Sequence, residues 1–158
     1  MKLSEIFTED RIVEKLTPGA KHDVLDEMVQ KLVESGCLEK KQVREISRAL
    51  MRREELGSTG VGKGVAVPHA KHAAVEGVLG VLGRSDDGLE FDSLDGQPVR
   101  VLFMLVSSPD CIEPHIEALR KVTTLLRDED FLAFIARAKN KAELVELIAE
   151  AEERLARL

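Results

Sequence analysis

The chain has 158 residues, the size of one compact unit, and its 44% hydrophobic and 33% charged content is that of a soluble globular protein. A net charge of -6 with no Trp, no Tyr and five Phe argues against a nucleic-acid binder, which needs a basic surface and stacking rings. The N-terminal MKLSEIFTEDRIVEKL holds charges every few residues and so no signal-peptide core, no apolar run approaches the roughly 20 residues that cross a bilayer, and Cys37 and Cys111 form no CxxC unit; the expectation is a reduced, cytoplasmic protein without direct membrane insertion.

In chain order, Leu25, Met28, Val29, Leu32 and Val33 form one stripe, which predicts an amphipathic helix from about Lys21 to a stop at Gly36. A second helix is predicted over about 40–56, with Val43, Ile46, Ala49 and Leu50 inward and Gly57 at its end. GSTGVGKG (57–64) is a glycine-punctuated loop. Residues 64–70 and 77–84 are short and Val-rich, hence strands, and 99–108 is a continuous apolar run that predicts a strand buried on both faces. SDDG (85–88) and SLDGQP (93–98) are predicted turns. Helices return over about 114–127 and 140–158, with a shorter one near 128–138. Leu144, Ile148, Ala151, Leu155 and Leu158 make a stripe on the last helix; it either packs on the chain's own sheet, the preferred reading, or serves as a homodimer seam. Helices, then strands, then helices predict one layered α/β domain over 1–158.

GSTGVGKG nearly matches the nucleotide-binding loop G-x-x-x-x-G-K-[ST], but Gly64 stands where the magnesium-binding hydroxyl belongs, and the segment follows a charged helix instead of a buried strand. His69 is the better centre of chemistry. Pro68 stiffens the backbone that presents it, and the preceding loop offers amide groups at Gly60 and Gly64 and hydroxyls at Ser58 and Thr59 to an anion. A neutral imidazole nitrogen can attack phosphorus, and the phosphoryl oxygens then need positioned donors. Arg53, at the end of the second helix and on or beside its buried stripe, is placed to fork onto those oxygens; the bland alternative is a surface ion pair with Glu54 or Glu55. His115, in the first turn of the helix opened by Pro114, is placed to orient the reactive ring or donate to its phosphate; the alternative is a packed helix-start histidine. His22 and His72 read as surface residues, and nothing in the spacing of His69, His72, Cys111 and His115 imposes a metal site.

The run RREELGSTGVGKGVAVPHAK (52–71) resembles the active-site signature of enzyme IIA domains of the phosphotransferase system, fructose, mannitol and nitrogen-regulatory class (EIIA type 2). The resemblance continues through FDSLDGQPVRVLFMLVSSP (91–109) and PHIEALRKVTTLLRDEDF (114–131), although Ala70 stands where many relatives carry Gly. It implies a three-layer α/β/α sandwich with a central mixed β-sheet flanked by helices. It also implies a phosphotransferase that needs no cofactor, with His69 as the phosphorylated histidine, Arg53 supporting its phosphate and His115 as the second active-site histidine. The partners implied are an HPr-like phosphocarrier protein as donor and a IIB domain or regulatory target protein as outlet. The competing reading is a regulatory binding module of the same fold without phosphoryl turnover.

Overall fold

The computed structural model describes residues 1–157. A helical turn α1 (Leu3–Ile6) and a 3-10 turn (Glu9–Arg11) lead into a two-residue strand, β1 (Ile12–Val13). Two helices follow, α2 (Lys21–Glu34) and α3 (Val43–Glu55). Next come the short strands β2 (Gly60–Gly62), β3 (Val65–Ala66) and β4 (His69–Lys71), and the long strands β5 (Val78–Leu89) and β6 (Val99–Ser107). Helices α4 (Ile112–Leu125), α5 (Glu129–Arg137) and α6 (Lys141–Ala156) close the chain.

The six strands form one mixed sheet in the order β1-β5-β6-β3-β2, with β4 also on β6. β5 and β6 are antiparallel, β6 runs parallel to β3 and β4, β1 runs parallel to β5, and β2 is antiparallel to β3. The apolar run of β6 is buried on both faces because helices cover both. Val101, Phe103 and Leu105 pack with α1, α4, α5 and α6, whereas Leu102, Met104 and Val106 pack with α2 and α3. Phe103 meets Phe7 edge-on, with centroids 5.4 Å apart, a contact worth about 0.5–1.5 kcal/mol beyond area burial. The architecture is thus the three-layer α/β/α sandwich with a mixed central sheet.

Three details differ from the sequence expectations. The strand predicted over 64–70 is two pieces, β3 and β4, yet both hold one register against β6: Ala66 faces Leu102 and His69 faces Leu105. Pro68 has no N–H to continue the ladder, so the strand breaks in hydrogen bonding and not in direction. The predicted SDDG turn is a kink within β5, where the ladder shifts between Arg84 and Leu89. Gly88, at φ 84°, donates its N–H to Ser85 Oγ at 3.1 Å, and this makes a bulge instead of a chain reversal. Helix α4 begins at Ile112, before Pro114, and the His115 N–H donates to the Cys111 carbonyl at 3.1 Å. A proline within the first turn forfeits only an N–H that has no helical partner.

Along α6, Leu144, Ile148 and Ala151 are buried in the core and Leu155 packs against it, so the stripe faces the domain's own interior; Leu158 lies outside the described residues. Glu152 on the same helix accepts the Leu3 N–H at 2.8 Å and pairs with Lys121 at 3.2 Å, tying the N-terminus down. Among the described residues no helix is long and apolar enough to cross a membrane.

Candidate active site

β2 covers only the β3 portion of the broken strand, so the outer edge of β4 is unpaired. A cleft of about 820 Å³ opens there, lined by Arg52 and Arg53 from α3, His69 and Lys71 from β4, and His115 and Leu119 from α4. Sheet and both helical layers therefore each contribute side chains. His69 shares strand parity with the buried Val65 and Val67, which turns it toward α4; its ring centroid lies 5.9 Å from that of His115, with the planes tilted by 54°.

His69 Nδ1 lies 2.8 Å from the Val67 carbonyl oxygen. A carbonyl only accepts, so Nδ1 carries the ring proton and Nε2 keeps its lone pair. Nε2 has no hydrogen-bond partner among the described residues and is not an enclosed atom, so it is open to the cleft. The pKa of His69 lies below the ordinary histidine value: burial lowers it most, the Val67 carbonyl opposes, nearby Arg53 lowers it further and Glu54 opposes. The ring is neutral at pH 7, the form with a nucleophilic nitrogen.

His115 is only 4% exposed, and its Nδ1 lies 2.6 Å from Ser107 Oγ. Burial, then the charges of His69 and Lys71, push its pKa down to about 4. The unfolded chain binds a proton on this ring near pH 6.5 and the folded chain only near 4, so between those values the unfolded state holds more protons and stability rises with pH. The stabilisation is complete above about pH 6.5 and is lost as the pH falls toward 4, by about 3 kcal/mol. Urea titrations across that window should show this loss for the native sequence, and a shallower one for His115→Gln.

Arg53 is half-buried and pairs with neither Glu54 nor Glu55; its Nη1 donates to the Gly57 carbonyl at 2.7 Å, which holds the guanidinium at the cleft. The residue that turns fully inward at this helix end is Glu54, which continues the Ile46–Leu50 row at the next four-residue step and is 5% exposed. Its carboxylate accepts the Thr59 N–H at 3.2 Å and the Thr59 hydroxyl, and pairs with Lys21 Nζ at 3.0 Å. A buried charge of this kind persists only when paired and hydrogen-bonded. From it a relay of hydrogen bonds runs to the cleft: the Thr59 carbonyl accepts the Val67 N–H at 3.0 Å, and the Val67 carbonyl accepts His69 Nδ1–H.

The loop residues expected to hold phosphate are used otherwise. The Ser58 hydroxyl donates to the Phe91 carbonyl and accepts the Gly60 N–H, and Thr59 is spent on Glu54. Gly60 packs against Ser93, where a Cβ would collide, and the Gly64 carbonyl accepts the N–H groups of Arg100 and Val101. None of these four lines the cleft. Ala70 sits in regular β4 pairing opposite Val106 at no positive φ, so no glycine is needed there. His22 is exposed beside Asp23, as expected of a surface residue, whereas His72 is half-buried, pairing with Glu45 at 3.2 Å and accepting the Ala74 N–H. Among the described residues no three His, Cys, Asp or Glu side chains are grouped to hold a metal ion. Glu54, Lys21 and Ser107 were not singled out by the sequence; the four-residue step from Leu50 to Glu54 was the one available signal.

The family model for the phosphoenolpyruvate-dependent sugar phosphotransferase system, EIIA 2, matches residues 5–151. The chain belongs to this family. Among EIIA 2 relatives, the fructose-specific EIIABC component of Bacillus subtilis is 36% identical over 148 residues, 94% of this chain but 23% of that protein. The nitrogen regulatory protein of Bradyrhizobium diazoefficiens is 34% identical over 145 residues, 92% of each chain. The chain thus spans about a quarter of the first relative and nearly all of the second. The crystal structure of nitrogen regulatory protein IIA-Ntr from Neisseria meningitidis matches with a TM-score of 0.83 at 28% identity, covering 92% of this chain and 98% of that one. IIA mannitol from Escherichia coli, at 23% identity and a TM-score of 0.71, shares the EIIA fold over 90% of this chain and 99% of its own.

Proposed function

We propose that the chain is a histidine phosphocarrier in which His69 Nε2 accepts a phosphoryl group from the phosphohistidine of an HPr-like protein. The observation that carries this reading is the tautomer: Val67 holds the Nδ1 proton, so the lone pair of Nε2 is open in a cleft shared with Arg53 and His115. In the transfer, the bond from phosphorus to His69 Nε2 forms as the bond to the donor nitrogen breaks, and the donor keeps the electron pair. No proton need move, because Nδ1 keeps its proton and donates it to the Val67 carbonyl throughout, and that hydrogen bond strengthens as the ring gains positive charge. Arg53 supplies a permanent cation for the phosphoryl oxygens, and an inward-facing donor on His115 complements it. Membership of the EIIA 2 family supports the phosphotransferase assignment.

Mixing the chain with phosphoenolpyruvate, enzyme I and HPr should add about 80 Da in an acid-labile linkage; no gain under conditions that label a known IIA domain would refute the proposal. Arg53→Met should slow this uptake by about 100-fold, the effect of losing one preorganised donor to a developing anion, and a rate within threefold of the native one would remove Arg53 from the site. The relatives suggest two outlets, a IIB domain as in a fructose system or a regulatory target as for a nitrogen regulatory protein. Chasing the labelled chain with a purified fructose IIB domain separates them: loss of label supports transport, and retention favours regulation.

A further inference from the structure

β6 ends at Ser107, whose side chain is fully buried and whose Oγ lies 2.6 Å from His115 Nδ1. Its backbone is fixed from both sides, paired with Lys71 of β4 and Val78 of β5, and its carbonyl accepts the His72 N–H at 3.0 Å. The hydroxyl is therefore aimed by the rigid centre of the sheet at the first turn of α4.

Two tautomers fit the 2.6 Å contact. With the ring proton on Nδ1, His115 would donate, and the Ser107 hydroxyl proton would need a second acceptor in a fully enclosed place; among the described residues that hydroxyl makes no other hydrogen bond. A buried donor without a partner is costly, whereas an oxygen lone pair left unused is not. With the ring proton on Nε2, the hydroxyl donates to Nδ1 and the enclosed side of the pair holds no unsatisfied polar hydrogen. His115 Nε2 has no partner among the described residues and is not enclosed, so it is open to the cleft.

We propose that Ser107 is a positioning residue which donates to His115 Nδ1 and thereby locks His115 with its proton on Nε2, offering that N–H to the phosphoryl group on His69. This rests on the phosphocarrier reading above. The two rings of the cleft then hold opposite tautomers, His69 protonated at Nδ1 and His115 at Nε2. One presents a lone pair to phosphorus and the other presents a donor to its oxygens. The depressed basicity of His115 keeps its ring neutral at pH 7, where the choice of tautomer matters.

Long-range proton–nitrogen NMR on the 15N-labelled native chain at pH 7 reads each ring directly. The expected spectrum shows His115 protonated at Nε2 and His69 at Nδ1, and a His115 protonated at Nδ1 overturns the proposal without any variant. In Ser107→Ala the His115 ring should become a tautomer mixture and phosphoryl uptake should fall about 10-fold, less than for loss of a donor itself. Ser107→Thr should restore both. A Ser107→Ala chain with the native tautomer and native uptake overturns the role of Ser107 alone. A native chain that takes up no phosphate instead overturns the phosphocarrier reading, and the offered N–H with it, whichever tautomer is seen.

Discussion

A His69→Ala chain should take up no phosphate from phosphoenolpyruvate, enzyme I and HPr, a fall in rate beyond about 10⁴-fold, since removal of a nucleophile leaves nothing for the other groups to assist. The substitution is a clean test because the ring is half-buried in an open cleft, and its one hydrogen bond, to the Val67 carbonyl, can be replaced by water. Stability should change by no more than about 1 kcal/mol, so a folded but inert variant isolates the chemistry. His115→Ala should behave differently, with slowed but measurable labelling, because His115 assists the phosphate without holding it. If His69→Ala labels at the native rate, another residue carries the group.

Glu54→Ala should destabilise the protein by about 3–5 kcal/mol, the range for breaking a buried ion pair by removing one partner. The loss has three parts: Lys21, mostly covered and lying 4.5 Å from the Phe91 ring centroid, is left without its buried counter-charge; the Thr59 N–H and hydroxyl lose their acceptor; and the helix end no longer anchors the loop that leads to His69. Glu54→Gln retains an acceptor for Thr59 and removes only the charge, so its cost should be smaller. Urea unfolding monitored by circular dichroism measures both, with a lower midpoint and an unchanged slope expected. A Glu54→Ala chain within 1 kcal/mol of native (on the order of a surface substitution) would show that the relay from α3 to Val67 is not needed for folding.

How much of this could be read in advance depended on segment length and on side-chain type. The stripes of α2 and α6 and the double-sided apolar run of β6 are long enough to show their period, and each lies where the spacing put it. β1 and β2, at two and three residues, carry no period and passed unnoticed; they exist because β5 and β3 offer them free edges. The Asp-Gly at 87–88 was rightly a break in regular backbone, but whether such a break reverses a strand or only bulges it is decided by what lies beyond, here Val99 pairing with Leu89. In the cleft, His69, Arg53 and His115 come from three separate elements; their local settings allow them to converge but leave a surface ion pair and a packed histidine equally open, and the family resemblance is what favours convergence. Glu54 and Ser107 escaped because an acid after two arginines reads as surface charge and a serine at a strand end reads as a turn. Hydroxyls beside a glycine loop suit an anion, and in the structure those of Ser58 and Thr59 donate to the Phe91 carbonyl and to Glu54, contacts that no local pattern announces.

The most direct measurement of the central claim is the position of the phosphoryl group on the native chain. After phosphorylation of 15N-labelled protein, phosphorus–nitrogen coupling should appear at Nε2 of His69, with its Nδ1 proton still present. Coupling at Nδ1 of His69, or on the His115 ring, would contradict the tautomer on which the account is built.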